Sequence, residues 1–328
     1  MLPGRALLGN HNGYWNPAIL KRLREREYDA IILGGYNHFT MLAAAWYAHR
    51  KRIPFYLMSE VYLRQPRAAW KKLVKAPFLR FLLRQAAGGL PTGTLACEYL
   101  EFYGLKRAQM CFVPNVPDIE TLRSQAQDLW KSGKMELRKS LGLDAAPMIL
   151  FVGRLLALKN VHVLIAAFNE IRKAYDLQLV IIGDGPERQR LTNLCKELGC
   201  ADRVRFAGFV APQKLVSWYC AADVFVLPSS DETWGVVVLE SLACGTPVIV
   251  SDMVGSAPDV VNSPEVGSII PANDVSALTR ALELRLKNTS SPERVAKVWE
   301  PVAQKMSYQF IAHELVEFLR KSSSVGGQ

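Results

Sequence analysis

Short apolar runs rich in β-branched residues alternate with helix-like segments along the whole chain. This alternation is typical of parallel sheets with helices on both faces, because each strand continues through a helix to the next strand. The pattern therefore predicts an α/β fold with two doubly wound, mainly parallel sheets. The predicted strands are 29–34, 54–58, 92–97 and 111–114, then, after a helical stretch at 119–141, 148–153, 177–183, 204–209, 224–228, 246–251 and 266–270.

The segment VPNVPD (113–118) marks the predicted boundary between the two sheets. Its two prolines and its asparagine are typical of a connector, since proline has no backbone N–H to donate to a sheet. We therefore predict a first domain at 1–117 and a second domain at 118–303. A terminal helix at 304–321 is expected to pack back toward the first domain, and a tail follows at 322–328.

The bulk composition favours a globular protein with anionic partners. Half of the 328 residues are hydrophobic, and the net charge of +10 suits nucleic acid, a membrane surface or phosphorylated molecules. Nucleic acid is not expected, because no aromatic-basic platform or recognition motif accompanies the charge. The six cysteines lack the spacing of a zinc site or a disulfide framework, so we expect no metal and a reducing cytosol. No signal peptide or membrane-spanning run stands out, so a soluble or peripheral protein is expected.

Much of the positive charge lies between Val61 and Cys97, where seven lysines and arginines occur without an acidic residue. Tryptophan, phenylalanine and leucine are interleaved with these cations over 61–84. Two interpretations stay open: a helix that lies on an anionic membrane surface, and an ordinary packed helix with a solvated basic face. Pro77 is expected to interrupt this helix.

The first motif that carries chemistry is FVGRLLALK (151–159), in which a buried strand ends at Gly153 and is followed by Arg154 and Lys159. Open α/β sheets bind ligands at the carboxyl ends of their strands. Two cations on one loop at that edge suit a diphosphate, because they neutralise the charge of a nucleoside diphosphate leaving group. The alternative is that one or both cations merely cover the strand end in solvent.

The second motif is IIGDGP (181–186), a strand followed by Gly183, Gly185 and Pro186. Glycine allows a ligand to approach the backbone, and proline fits the first turn of the next helix. The third glycine of a dinucleotide fingerprint is missing. Taken alone, this motif is a strand-to-helix turn.

The third motif is VFVLPSSDETWGVVVLE (224–240). A strand ends at Pro228, a polar loop follows, and a helix is predicted to begin near Gly235, so that the backbone N–H groups of 233–236 form an anion site. Glu232 and Glu240 are eight residues apart, or about two helical turns, and carboxylates are suited to hold paired hydroxyls of a ribose or hexose. The alternative is that Asp231 and Glu232 only complement the helix dipole.

These motifs occur together with FAGFV (206–210), AADVFVLPS (221–229) and ACGTPVIVSD (243–252) in one order and spacing. The set resembles the retaining glycosyltransferases of family 4, the glycosyl transferases group 1. The resemblance is close over 148–261 and looser over 93–118. It implies the GT-B architecture, two Rossmann-like domains facing each other across a cleft that holds the donor.

The resemblance also implies a reaction and a set of roles. The enzyme would transfer a sugar with retention from a nucleoside diphosphate sugar, without a metal or other cofactor. Arg154 and Lys159 would bind the diphosphate, Glu232 would lie beside the donor sugar, and Glu240 would hold the ribose. The remaining donor residues would be Gly153, Gly183, Gly185, Phe209, Val210, Thr233, Trp234, Gly235 and Val236, with Phe209 and Val210 at the base and 233–236 at the phosphates.

In the first domain, His38 follows a predicted strand at a place similar to the cleft histidine of that family, and the resemblance implies that it is catalytic. An ordinary polar loop residue is the alternative. The glycine-rich loop with which the family normally opens has no clear match, since LLGNHNG (7–13) departs from it. The first domain is therefore expected to be shortened.

A glycan or lipid-linked acceptor is expected, with a cytoplasmic location, peripheral on the inner face of the membrane. Two other functions stay open: a non-catalytic GT-B subunit that acts as a partner or regulator, and a nucleotide-sugar epimerase or phosphorylase on the same fold.

Overall fold

The computed structural model of the chain describes residues 5–6, 14–16, 18–64 and 69–325, so the predicted departure at 7–13 lies outside the described residues. The chain forms two compact units. The first unit comprises residues 1–114 and 309–328, and the second comprises residues 115–308. The sequence pattern places the corresponding boundaries after 117 and after 303.

The first unit is built on a three-stranded parallel sheet in the order β3-β4-β5. Its helices pack against this sheet and form one hydrophobic core with it. In this core Leu33, Phe55 and Leu57 of the strands lie with Ala48 and Leu83 of two helices. Its elements are β1 (Arg5–Ala6), β2 (Tyr14–Trp15), α1 (Ala18–Arg24), β3 (Ile31–Leu33), α2 (Phe39–Lys51), β4 (Phe55–Ser59), α3 (Ala69–Gln85), β5 (Gly88–Pro91) and α4 (Thr94–Phe102).

Three predictions for the first unit are wrong. The predicted strand 92–97 lies mostly in helix α4, and the strand is the preceding segment, Gly88–Pro91. Glycines are poor strand formers, yet they are needed here, because a Cβ on Gly88 would lie 2.6 Å from the carbonyl oxygen of Gln109. The predicted strand 111–114 is an irregular extended segment that runs alongside β5. The N–H of Val113 donates to the carbonyl of Pro91 in that strand. Pro114 has no N–H to continue that pairing.

The third wrong prediction concerns Pro77, which does not interrupt its helix. Helix α3 runs through Pro77 from Ala69 to Gln85. Proline removes one hydrogen bond from a helix interior, a loss that tertiary packing can offset. Leu79 and Leu83 supply that packing, since both are buried in the core of the first unit.

The second unit contains a six-stranded parallel sheet, whose strands lie side by side in the order Gly267–Ile270 (β11), Val248–Ser251 (β10), Val224–Leu227 (β9), Met148–Val152 (β6), Gln178–Ile182 (β7) and Val204–Gly208 (β8). All six strands predicted between 148 and 270 are confirmed to within two residues. The predicted helical stretch 119–141 is formed by two consecutive helices. The elements are α5 (Ile119–Trp130), α6 (Gly133–Ser140), β6 (Met148–Val152), α7 (Val161–Ile171), β7 (Gln178–Ile182), α8 (Arg188–Glu197), β8 (Val204–Gly208), α9 (Pro212–Ala221), β9 (Val224–Leu227), α10 (Val236–Ala243), β10 (Val248–Ser251), α11 (Ala257–Val260), β11 (Gly267–Ile270), α12 (Val275–Lys287) and α13 (Pro292–Lys305).

Strands β6, β7, β9 and β10 are buried along their whole length, which explains why they are continuous apolar runs in the sequence. A buried arginine fixes the start of β6. Arg138 pairs with Asp223 and donates to the carbonyls of Ala145 and Ala221, while Asp223 accepts from the N–H of Met148 at 2.7 Å. Because both charged groups have several partners, the pair is compatible with burial.

The last helix, α14 (Tyr308–Val325), completes the first unit. Its Leu315 and Phe318 pack on the sheet face that carries Tyr56 and Leu90. The rings of Phe318 and Tyr56 meet edge to face, with centroids 5.7 Å apart. No described helix in either unit has the length and apolar character needed to cross a membrane.

Candidate functional site

Six loops of the second unit leave the carboxyl edge of its parallel sheet. They follow β6, β7, β8, β9, β10 and β11 and begin at residues 153, 183, 209, 228, 252 and 271. Because the strands are parallel, these loops share one edge of the sheet, where α/β proteins bind ligands. The predicted donor residues of the second unit lie on these loops or at the start of α10, except for Glu240, which is two turns into that helix.

Two predicted charged residues are in direct contact. The ammonium group of Lys159 donates to a carboxylate oxygen of Glu232, and each side chain is only 16% exposed. The loops that carry them are also joined, since the carbonyl of Leu158 accepts from the N–H of Ser230 at 2.8 Å and from its hydroxyl at 3.2 Å. Arg154 is on the same loop as Lys159, with an exposed side chain.

Asn160 positions Lys159, and sequence reasoning missed it. It adopts a left-handed conformation (φ 53°) and is buried. Its side-chain amide donates to the carbonyl of Pro228 at 3.1 Å and to the side-chain oxygen of Asn273 at 2.9 Å. The amide thus ties the loop after β6 to those after β9 and β11. The available signal was an asparagine directly before a helix, since asparagine tolerates this backbone conformation better than most residues.

The loop between β9 and α10 is hydrogen-bonded to the loop after β10. The N–H of Glu232 donates to the carbonyl of Met253 at 3.1 Å, and the N–H of Gly255 donates to the carbonyl of Glu232 at 2.9 Å. A Cβ on Gly255 would lie 1.9 Å from the carbonyl oxygen of Thr233, so only glycine fits there. The whole Trp234 residue is only 3% exposed, and it belongs to the hydrophobic core of the second unit.

The start of helix α10 is a row of backbone N–H donors. Within the described chain, the backbone N–H groups of residues 233–237 have no backbone acceptor. Gly235 precedes the helix at φ 89° and turns the chain into it. Such a row of N–H groups favours an anion, because they and the helix dipole together provide partial positive charge.

Glu240 is held by a residue that the sequence analysis did not single out. The hydroxyl of Tyr219, on α9, donates to one carboxylate oxygen of Glu240 at 2.8 Å. Burial raises the pKa of Glu240, and the hydrogen bond from Tyr219 acts in the opposite direction. Burial and the nearby charge of Glu240 raise the pKa of Tyr219 well above its ordinary value. Within the described part of the chain, Tyr219 is the donor to this carboxylate and contacts one of its two oxygens, so the other can accept from a ligand.

Backbone packing gives Gly183 and Gly185 a role within the fold. A Cβ on Gly183 would lie 1.9 Å from the carbonyl oxygen of Gly153, and one on Gly185 would lie 2.4 Å from that of Leu155. Gly183 also adopts φ 127°. The space beside these glycines is therefore filled by the loop after β6, and their contact with a ligand stays a prediction.

Two other predicted residues differ in their surroundings. Phe209, after β8, has a side chain that is 80% exposed, and Val210 beside it packs partly on the core. His38 belongs to the first unit, where it precedes helix α2 and its carbonyl accepts from the N–H groups of Met41 and Leu42. The described contacts bring together Lys159 and Glu232, and they place Glu240 with Tyr219.

Comparison with known proteins gives a consistent result. The sequence profile of the glycosyl transferases group 1 matches residues 133–298. An uncharacterised glycosyltransferase of Methanocaldococcus jannaschii is 34% identical over 71% of this chain and 62% of its own length. A GDP-mannose-dependent phosphatidylinositol monomannoside mannosyltransferase of Mycobacterium tuberculosis is 30% identical over 74% of this chain and 65% of its own length. The chain thus spans less than two thirds of these relatives.

Solved structures show the same fold. The Anabaena protein HepE in complex with UDP superposes with a TM-score of 0.76 over 93% of this chain and 82% of that protein, at 19% identity. The predicted fold class is therefore confirmed: α/β, with two Rossmann-like parallel sheets of the kind found in GT-B proteins.

We expect Gly183→Ala to destabilise the second unit by about 3 kcal/mol or more, because the new methyl group overlaps the backbone of Gly153. Gly199→Ala is the matched control, since Gly199 also has a positive φ (64°) but no atom within 4 Å of its Cβ position. Its cost should be about 1 kcal/mol, the cost of a left-handed alanine. Chemical denaturation of both variants measures the difference, and equal losses would contradict the packing argument.

A second prediction concerns pH. Since the folded-state pKa of Glu240 lies above its unfolded value, stability is lost as pH rises from the ordinary glutamate pKa through the raised one. Glu240→Gln removes this loss and keeps an acceptor for Tyr219. We expect a melting temperature on the order of 1–3 °C higher at neutral pH, with the gain vanishing below the ordinary glutamate pKa. Thermal melts over a pH series test this, and a less stable variant at neutral pH would refute it.

Proposed function

Because this chain belongs to the glycosyl transferases group 1 family, we propose that it is a retaining glycosyltransferase of the family 4 type. It moves a sugar from a nucleoside diphosphate sugar to a glycan or lipid-linked acceptor. The observation that carries this proposal is the contact between Lys159 and Glu232, which directly precedes the N–H groups of 233–237 that have no backbone acceptor within the described chain. The loops at one edge of the sheet thus carry cationic and N–H groups that can bind phosphates, and carboxylates that can bind sugar hydroxyls.

The diphosphate is the first ligand group to consider. Arg154, Lys159 and the N–H groups at the start of α10 supply positive charge from two loops of one sheet edge. These groups can bind a diphosphate and stabilise the negative charge that develops on it as the bond to the sugar breaks. No divalent cation is then needed for that purpose, so we propose metal-independent transfer without a cofactor.

We assign the two glutamates to different parts of the donor. Glu232 contacts Lys159 on the neighbouring loop, so we assign it to the hydroxyls of the donor sugar. Glu240 has one oxygen occupied by Tyr219, so we assign its other oxygen to the ribose. Phe209 and Val210 receive the base, and Gly153, Gly183, Gly185, Thr233, Trp234, Gly235 and Val236 shape the phosphate loops.

The reaction retains the configuration at the anomeric carbon. The bond from this carbon to the diphosphate oxygen breaks, and a bond to the acceptor hydroxyl oxygen forms on the same face of the sugar. The acceptor's proton passes to the departing phosphate oxygen. Glu232 stabilises the positive charge that develops on the sugar, and His38, in the first unit, is assigned a catalytic role.

The relatives support the substrate classes in this proposal. The Anabaena structure contains UDP, and the mycobacterial relative is described as using GDP-mannose and a phosphatidylinositol glycoside. We therefore propose a cytoplasmic enzyme that works peripherally on the inner membrane face when its acceptor is lipid-linked. A non-catalytic subunit would form no product, and an epimerase would release an altered nucleotide sugar. Product analysis therefore distinguishes both from a transferase.

We expect UDP or GDP to raise the melting temperature in the presence of EDTA, because a ligand that binds only the folded state stabilises it. At a hundred-fold excess over Kd the gain is about 2.7 kcal/mol. Arg154→Ala and Lys159→Ala should abolish the shift. Lys173→Ala is the control, since Lys173 is an exposed lysine that pairs with Glu170 on α7. A shift that survives in both cation variants would place the phosphates elsewhere.

Turnover is tested with the same protein and a panel of nucleoside diphosphate sugars. Formation of a glycoside with the donor's anomeric configuration supports the proposal. Glu232→Ala should reduce kcat by about 100-fold or more, the scale of losing one electrostatic group at a reacting centre. Donor binding without transfer or hydrolysis would indicate a non-catalytic subunit, and an altered donor sugar would indicate an epimerase.

A separate prediction concerns Tyr219. Tyr219→Phe removes the hydroxyl that orients Glu240 while keeping the ring in its buried place. We expect a several-fold higher KM for the donor with little change in kcat. The acid limb of kcat/KM should move to higher pH, because the lost hydrogen bond had lowered the pKa of Glu240.

Tyr47→Phe is the matched control for this prediction. Tyr47 is also buried, and its hydroxyl donates to the carbonyl of Leu23 in the first unit. An unchanged pH profile in Tyr219→Phe would contradict its positioning role, even if stability falls.

A further inference from the structure

Two cavities of the second unit meet at one tryptophan. The larger has a volume of about 580 Å³ and lies between helices α5 and α13. The smaller, of about 390 Å³, lies between the start of α6 and the segment 289–291 that precedes α13. Trp130, the last residue of α5, and Glu293, in the first turn of α13, line both cavities. We call the two cavities together the Trp130 groove.

The Trp130 groove lies at the opposite edge of the sheet from the candidate site. The indole N–H of Trp130 donates to the carbonyl of Cys244 at 3.1 Å, just past the end of α10. Asp223, which lines the smaller cavity, directly precedes β9. Because α10 begins at the carboxyl edge of the sheet and returns to the start of β10, both residues lie at the amino edge. A ligand in this groove therefore does not compete with one on the loops that follow the strands.

The ring of Trp130 is fixed in place by the backbone beneath it. Besides the hydrogen bond to Cys244, the ring packs on Gly245, where a Cβ would lie 2.7 Å from Cζ2 of the indole. Trp130 is nevertheless only partly buried, because it forms a wall of both cavities. A ring that is already ordered loses little conformational freedom when a ligand packs on it.

The charged groups of the groove neutralise one another. Four cations and three carboxylates line the two cavities. Arg123 pairs with Glu300 in the wall of the larger cavity, and Lys134 pairs with Asp223 at 3.2 Å in that of the smaller. A phosphate or another strongly charged ligand would have to displace one of these partners, which costs energy. The groove therefore favours a neutral ligand.

The remaining lining residues supply hydrogen-bonding groups of both kinds. Gln127 contributes an amide to the larger cavity, and Thr289 and Ser290 contribute hydroxyls to the smaller. Amides and hydroxyls donate and accept, carboxylates accept, and ammonium groups donate. A sugar ring has matching chemistry, since its hydroxyls do both and its C–H faces are apolar. The C–H groups carry slight positive charge, which suits the negative face of an aromatic ring.

We infer that the Trp130 groove binds a neutral oligosaccharide. One sugar ring stacks on Trp130, and the rings on either side of it enter the two cavities, where Gln127 and Glu293 meet their hydroxyls. Two joined cavities suit a chain of linked rings better than a single small molecule. Both volumes are also in the range of about 300–1,000 Å³ that is usual for ligand sites.

The inference goes beyond the proposed function and rests on it only for its purpose, which is to hold a glycan chain while the enzyme works on its substrates. Binding in the groove requires neither donor nor turnover, so the two can fail separately. If tetrasaccharides bind the groove and no sugar is transferred, the proposed function falls. If transfer occurs and the groove binds none of them, this inference falls.

Titration calorimetry of the full chain with neutral tetrasaccharides of glucose, of mannose and of galactose tests the inference. Each titration is repeated with UDP and GDP in excess, which leaves the carboxyl edge occupied if either nucleotide binds there. We expect at least one tetrasaccharide to bind equally well with and without the nucleotides. Trp130→Ala should weaken this binding on the order of ten-fold, because a stacked tryptophan is typically the main anchor of such a site.

A second variant changes the rim of the groove without touching the packed ring. Gln127→Ala with Lys297→Ala removes two exposed side chains that line the larger cavity. We expect it to weaken binding by about three- to ten-fold, the scale of one or two lost hydrogen bonds. The control is Asn193→Ala with Lys196→Ala, which removes an exposed amide and an exposed lysine from α8. No described residue of α8 lines either cavity, so the control should bind like the unmodified protein.

Melting temperatures establish that all three variants are folded, and the rim variant decides the outcome if Trp130→Ala is not. Four results would overturn the inference: no binding of any tetrasaccharide, loss of binding when the nucleotides are added, equal weakening in the rim variant and its control, or a concentration-dependent dimer that Trp130→Ala dissociates. Selective weakening in the two groove variants, with binding that is insensitive to UDP and GDP, supports it.

Discussion

The candidate site depends on loops that pack backbone against backbone at one edge of a parallel sheet. A side chain at position 183 would overlap the backbone of Gly153, and a side chain at position 255 would overlap the backbone of Thr233. These two contacts tie the loop after β6 to that after β7, and the loop after β9 to that after β10. Because backbone contacts have few alternative arrangements, the charged residues on these loops are held on a rigid base, which suits a site that must present groups in fixed positions.

The polar residues of the site are paired with one another in the structure. Lys159 contacts Glu232, Tyr219 donates to Glu240, and Asn160 bridges two neighbouring loops. These pairs limit the cost of burying charge, although burial still raises the pKa of Glu240. A carboxylate kept in such a place destabilises the folded state, which is understandable if it is retained for binding rather than for stability. Under the proposed function, the same groups exchange partners when a sugar nucleotide arrives.

The first unit differs from the second in what its surface offers. The second unit has its open groups at the edge of its sheet, where loops meet. The first unit has exposed aromatic residues and arginines on the outer side of α2 and α3. Each unit therefore exposes a different chemistry, polar loop groups in the second unit and aromatic and cationic side chains in the first.

The sequence by itself determined the parallel sheet of the second unit and the motifs at its edge. Buried parallel strands are continuous apolar runs, and tight turns against other backbone require glycine, so both leave local signals. Only the tertiary structure decided that residues 88–91 form the strand instead of 92–97, because long-range packing at Gly88 overrides local preference. Only the tertiary structure, likewise, showed that Lys159 meets Glu232, 73 residues away, that Tyr219 reaches Glu240, and that Asn160 reaches Asn273, 113 residues away. No local pattern encodes such contacts, since they depend on how the whole sheet brings its loops together.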